Sequence, residues 1–313
     1  MANKRKNGLI ELYRFIFALN VVKNHGFFPG NIPYFSPGRI SVEFFFILSG
    51  FLLLRSLDKI EDMPWYKGVW TVLYKKVKPL FVPLVIGLTG NAVHKILVNE
   101  FELFAWGYLW YVQDMLVVCV AYYLLKRLVK SEKAYMGITF GAFLIGALLL
   151  SFTPLYSWGI FRAITSISLG MLLSKLPKIK LKRQNLLWIA LAPVQIAVFT
   201  ILMFSLAGKY RSVEIVLDFL LYPALIYLTF QIECKNGFFE YLGSLSFGFY
   251  AFHCVTCVPR DLGVTNVWLL FGLICVMVFT ENTIKRILQY KKEKRLREET
   301  LDKELEKTLE NKA

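Results

Sequence analysis

The stretch Leu9-Ile-Glu-Leu-Tyr-Arg14-Phe-Ile-Phe-Ala-Leu-Asn-Val-Val-Lys-Asn-His25 has the apolar character of a membrane helix, yet it carries Glu11, Arg14 and His25. Ionisable side chains at membrane depth are costly, so they mark functional candidates. Arg14 and His25 are eleven residues apart, about three helical turns, which sets them on nearly one face roughly 16 Å apart. One helix can therefore carry a fixed cation near one membrane surface and a titratable imidazole near the other. A second stretch follows, Gly38-Arg-Ile-Ser-Val-Glu43-Phe-Phe-Phe-Ile-Leu-Ser49-Gly-Phe51, and it too buries polar groups in an apolar run.

Working outward, the same pattern recurs along the chain. Of 313 residues, 56% are hydrophobic and only 19% are charged, with a mean hydropathy of +0.51. A soluble domain carries about a quarter charged residues. The repeated long apolar runs predict an all-α, polytopic membrane helix bundle of about ten transmembrane helices. They fall near 9–26, 40–57, 79–98, 107–125, 135–152, 158–175, 186–207, 213–232, 239–258 and 266–284. A transmembrane barrel would need alternating strands of about ten residues, which are not present.

Charge orients the bundle. An even number of spans puts both termini on one side. Of the 37 basic residues, 29 fall in the N-terminus, the loops at 55–78, 126–133, 175–183 and 233–240, and the tail from Lys285. The alternate loops hold only Arg39, Lys209, Arg211 and Arg260. The positive-inside rule therefore predicts cytoplasmic N- and C-termini. The net charge of +15 is spread over loops that face anionic membrane lipids, which argues against a nucleic-acid partner.

Lys4, Arg5 and Lys6 before an apolar stretch mimic a secretory signal. Glu11 and Arg14 interrupt that stretch and no Ala-x-Ala site follows, so the first helix reads as uncleaved. The expected organisation is a membrane domain over 1–285 and a charged cytoplasmic tail over 286–313, read as a helix leaving the membrane. The 55–78 loop, with Pro64, Trp65, Tyr66 and Trp70, suits the headgroup region. Five scattered cysteines do not make a disulfide framework. His253, Cys254 and Cys257 invert a haem-attachment motif and lack a fourth zinc ligand, so no metal is expected.

Four segments in order resemble the acyltransferase-3 family of integral membrane acyltransferases. They are the Leu9–His25 helix, the Gly38–Phe51 run, Leu109-Trp110-Tyr111-Val112, and Leu242-Gly-Ser-Leu-Ser-Phe-Gly-Phe-Tyr250-Ala-Phe-His253. The resemblance implies about ten helices in a bacterial inner or plasma membrane. It also implies transfer of an acyl group, usually acetyl, from cytoplasmic acetyl-coenzyme A to a hydroxyl of an extracytoplasmic glycan or its lipid-linked precursor. Arg14 and His25 match the family's first-helix arginine and histidine, the histidine being essential to transfer. The family's Arg-x-Arg before a proline is replaced here by Lys76-Val-Lys78-Pro79.

The residue chemistry is compatible. A sugar hydroxyl is a weak nucleophile, and a neutral imidazole can take its proton as the thioester is attacked. Glu43 could accept the other ring N–H of His25 and fix its tautomer, as Asp does in a Ser-His-Asp triad. Alternatively, His25 could itself be acylated, or could simply reach the interface and donate a hydrogen bond. Glu43 could instead pair with Arg39, one turn before it. Arg14 could hold the diphosphate of coenzyme A or pair with Glu11 at i,i+3. Lys76 and Lys78 could bind coenzyme A phosphates or serve as positive-inside anchors. Tyr250 and His253, one turn apart, could line one substrate cavity. Ser49-Gly50 reads as helix packing rather than a nucleophile, since no base accompanies Ser49. His94 reads as an interhelical hydrogen bonder and Asp114 as a further polar candidate. A transporter or export partner for a polysaccharide or lipid, using the same charges as a pathway, is the alternative from another class.

Overall fold

The computed structural model describes residues 7–27, 38–98, 109–152, 159–177, 217–232 and 234–310. They form helices α1 (Gly8–Asn24), α2 (Gly38–Leu57), α3 (Trp65–Val77), α4 (Phe81–Leu97), α5 (Trp110–Leu128), α6 (Glu132–Phe152) and α7 (Gly159–Leu173). A π turn at Leu217–Leu221 leads into α8 (Tyr222–Gln231), followed by α9 (Gly237–Asp261) and α10 (Val267–Glu310). No strand occurs among the described residues.

Local chemistry fixes the ends of the helices that carry the polar groups. Asn7 caps α1: its Oδ1 accepts from Leu9 N–H, while its Nδ2 donates to the Thr229 and Ile232 carbonyls. At the other end Gly26 N–H donates to the Lys23 carbonyl and Phe27 N–H to the Val22 carbonyl. That pair of bonds closes a helix through a left-handed residue, and Gly26 has φ +78°. His25 is thereby fixed at the C-cap.

Packing is tightest where side chains are smallest. Cβ atoms built on Gly50 of α2 and Gly170 of α7 would run into the carbonyls of Ile167 and Ile47 respectively. The two backbones therefore touch, as small residues permit in membrane bundles. This bears out the packing reading of Ser49-Gly50, and the Ser49 hydroxyl donates to the Met115 sulfur at 3.2 Å. Gly50→Ala is expected to force α2 and α7 apart, with loss of monodisperse protein on size exclusion. Overpacking costs about 1–3 kcal/mol. Gly137→Ala, which would meet nothing within 4 Å, should leave the profile unchanged.

Four helices among the described residues are long and apolar enough to cross a membrane: Trp65–Leu97, Glu132–Ser151, Gly237–Asp261 and Val267–Glu299. Gly159–Leu173 is shorter. The expected span at 186–207 and the start of that at 213–232 lie outside the described residues. Three of the other expected spans carry charged side chains. α1 holds Glu11, Arg14 and Lys23, α2 holds Arg39, Glu43 and Arg55, and α5 holds Asp114, Lys126 and Arg127. These are the helices that build the polar interior.

One segment corrects the sequence reading. The 55–78 stretch, expected to be a loop, contains α3, which passes through a 3-10 turn at Lys78–Leu80 into α4. Val72 is buried and Val69 packs against the core beside it. Trp65, Tyr66, Trp70 and Tyr74 remain exposed, so the segment is an amphipathic helix. Pro79 is accommodated near the start of the short turn, where a missing N–H costs little.

Interhelical contacts sort the helix ends into two groups. Gly8 N–H donates to the Cys234 carbonyl, Ser244 meets Asn282, and Lys285 reaches the Pro79 carbonyl. Asp58 pairs with Lys126 and Glu132 with Lys175. The entry of α1 and the exit of α10 into its charged half therefore share one end of the bundle with these lysines. His25, Arg260 and the His94–Asp261 pair belong to the other. Beyond Lys285, α10 continues as one helix to Glu310, with exposed i,i+4 pairs such as Arg295–Glu299 at 3.0 Å.

Candidate active site

Two polar centres lie at different heights along α1. The first is a cleft of about 270 Å³, lined among others by Glu11 and Arg14 of α1, Ser49 of α2, Lys75 and Lys76 of α3, and Tyr111 and Tyr250. Arg14 Nη1 donates to both oxygens of Glu11, at 3.0 and 2.9 Å. Glu11 is 5% exposed, whereas the Arg14 side chain keeps 27% exposure toward the cleft. The i,i+3 pairing and the cleft position therefore coexist.

Lys76 lines the cleft as a candidate, but Lys78 does not. The Lys78 ammonium lies over the Tyr74 ring, 4.9 Å from its centroid. The reason is periodicity. Residues two apart share a side of an extended chain but not of a helix, and this segment is helical to Val77. Lys75 joins Lys76 instead.

The second centre surrounds His25. Its ring stacks on that of His253 of α9, with centroids 4.6 Å apart and planes 19° apart. His253 is fully buried, and its Nδ1–H donates to the Tyr250 carbonyl. The Tyr250 ring meets His253 edge-on at 5.7 Å and Tyr111 at 5.7 Å. Tyr250 thus bridges the centres, since it also lines the cleft. Tyr250 and His253 were expected to share one cavity; Tyr250 faces the cleft and His253 carries the stack. Arg260 completes the upper centre. Its Nη1 donates to the His25 carbonyl at 3.5 Å, and its guanidinium lies 4.9 Å from the Phe27 ring centroid. In the sequence Arg260 stands out only as a basic residue in a loop between apolar segments.

Glu43 corrects the triad expectation. Its carboxylate is turned to α7, where Arg162 Nε donates to Oε1 and the Ser166 hydroxyl to Oε2. Both oxygens are engaged there, so the anticipated hydrogen bond to His25 is replaced by a buried ion pair whose side chains are each 3% exposed. The Arg162 guanidinium also lies 5.5 Å from the Trp110 ring centroid. Arg162 was visible in sequence only as a charge inside an apolar segment, and that cost was the available signal.

The remaining candidates are His94, Asp114, Cys254 and Cys257. His94 bonds Asp261 across α4 and α9, as an interhelical hydrogen bonder would. Asp114 sits on α5 beside Gly159 of α7. Cys254 and Cys257 are buried, and Cys257 donates to the His253 carbonyl. Among the described residues no group of three His, Cys, Asp or Glu side chains is placed to hold a metal ion.

This geometry offers a cleft with cations and Tyr250 in its lining, and a stacked imidazole pair packed against that tyrosine outside the cleft. The sequence model of the acyltransferase-3 family, described as an acyltransferase domain, matches residues 7–280. No curated protein and no solved structure matches the chain.

Proposed function

The chain belongs to the acyltransferase-3 family, and from that membership we propose an O-acyltransferase that moves acetyl from acetyl-coenzyme A to a hydroxyl of a cell-surface polysaccharide or its lipid-linked precursor. The observation that carries the reading is the cleft joining Arg14, Lys75 and Lys76 to Tyr250, whose carbonyl and ring both hold the partner of His25. The basic end faces the cytoplasm of a cell or inner membrane, where positive charge accumulates and where coenzyme A thioesters are found. Both described ends, the start of α1 and the exit of α10, lie on that side.

The residues divide the work along α1. Arg14, Lys75 and Lys76 would receive the phosphates of the donor; arginine offers a planar fork and the lysines point charges. The flexible arm of coenzyme A would then run past Ser49, Tyr111 and Tyr250, leading the thioester toward His25. His25 takes the proton of the acceptor hydroxyl as its oxygen attacks the thioester carbonyl. The carbon–sulfur bond breaks, and the imidazolium returns the proton to the departing sulfur, leaving free coenzyme A and an ester.

The test uses purified protein, acetyl-coenzyme A and cell-envelope glycan from cells lacking the protein, with mass spectrometry of the ester product. Lys76→Ala is expected to raise KM for acetyl-coenzyme A about tenfold, the value of one charge-assisted hydrogen bond, with kcat little changed. Lys78→Ala should stay within about twofold, as for an exposed charge. An equal KM penalty at Lys78 would show that the donor does not use this cleft. No acyl transfer from acetyl-coenzyme A by the intact protein would overturn the function itself.

A further inference from the structure

Building on the acyl-transfer reading, we infer that His253 is a positioning residue, acting through the stack of its ring on His25. It holds the imidazole plane and lays an aromatic face against the charge that His25 acquires during transfer.

Three observations converge on this role. The rings lie face to face, 4.6 Å apart at 19°, whereas the neighbouring aromatic contacts of His253, with Tyr250 and Phe27, are steep or tilted. His253 is held from all sides: it has 0% exposure, its Nδ1–H is committed to the Tyr250 carbonyl, and its own carbonyl accepts from Thr256 and Cys257. The stack also ties the end of α1 to the middle of α9, because His25 is a C-cap with no further helix of its own to define its ring.

The chemistry needs such a face. When the acceptor oxygen bonds to the thioester carbon, its proton moves to a His25 nitrogen, so positive charge forms on that ring. The proton leaves again as the carbon–sulfur bond breaks and the sulfur accepts it. A cation over an aromatic face within about 6 Å of its centroid is attracted to it, more strongly when water is excluded. The nearby Arg260 opposes that charge, being itself a cation held against the His25 carbonyl and the Phe27 ring, so the aromatic face must come from His253.

A purely structural histidine would matter for its bond to the Tyr250 carbonyl rather than for its face, and two substitutions separate the roles. His253→Phe keeps a ring and removes the donor; His253→Asn keeps an N–H near the Nδ1 position and removes the ring. Initial rates with acetyl-coenzyme A and de-O-acetylated cell-envelope glycan would give kcat and KM for each. The expected result is that Asn lowers kcat about tenfold or more with KM for acetyl-coenzyme A within about twofold, while Phe retains about a third of kcat or better. Asn equal to or faster than Phe, or a loss confined to KM, would overturn the role. His253→Tyr and His253→Gln repeat the contrast of ring against amide if the first pair fails to fold. An intact protein that transfers no acyl group would remove the reading beneath the inference; an active one in which the amide outperforms the ring would remove the inference alone.

Discussion

Replacing His25 with alanine is expected to abolish acyl transfer while the protein accumulates in the membrane at its normal level. Loss of a general base costs about 10²–10⁴ in rate, which puts the variant at or below detection in a glycan acetylation assay. The protein level should hold because α1 is closed by backbone bonds through Gly26 and Phe27, none of which involves the imidazole. The other half of the α1 pair provides the contrast. Arg14→Ala would leave Glu11 buried beside Gly243 without its partner, so both level and activity should fall. Near-normal transfer by His25→Ala would sink the mechanism. The same protein can separate base from nucleophile. With radiolabelled acetyl-coenzyme A and no acceptor, an acylated His25 would leave label on the wild-type chain, and a base would leave none.

The two centres differ in how far they could be read from the sequence. Arg14, Glu11 and His25 lie on one helix, so helical spacing alone relates them, and the structure keeps both the Glu11 pairing and the cleft exposure of Arg14. The cost of a charge in an apolar run also made Glu43 and Arg162 conspicuous one at a time. What could not be read was their pairing across 119 residues, because apolar periodicity says which face is buried but not which helix it meets. The stack of His25 on His253 belongs to the same class, as does the contact of Arg260 with the His25 carbonyl. The lysine error has a different origin. A stretch bounded by Pro64 and Pro79 and dense in lysine reads as a loop, but Val69 and Val72 give it an apolar side to bury. Once it is a helix, Lys75 and Lys76 turn to the cleft and Lys78 away.

Arg162→Leu should be the most damaging single change to the fold, and its remedy should lie on another helix. The substitution strands Glu43 at 2% exposure, and breaking a buried ion pair from one side costs about 3–5 kcal/mol. That is of the order of the whole stability of many domains, so little folded protein should be recovered on size exclusion. Glu43→Leu alone removes the carboxylate from a buried Arg162, which cannot shed its proton. The double variant removes both charges together. Replacing a buried pair by apolar residues is often neutral or stabilising, so the Glu43→Leu/Arg162→Leu protein should return to near the wild-type level. That recovery also decides what Glu43 does. Because both its oxygens are held by α7, the double variant should transfer acetyl within about tenfold of wild type, the residual loss reflecting altered packing near Trp110. A double variant that folds normally yet loses transfer as completely as His25→Ala would give Glu43 a part in the chemistry, and would mean that the carboxylate leaves Arg162 when the donor enters.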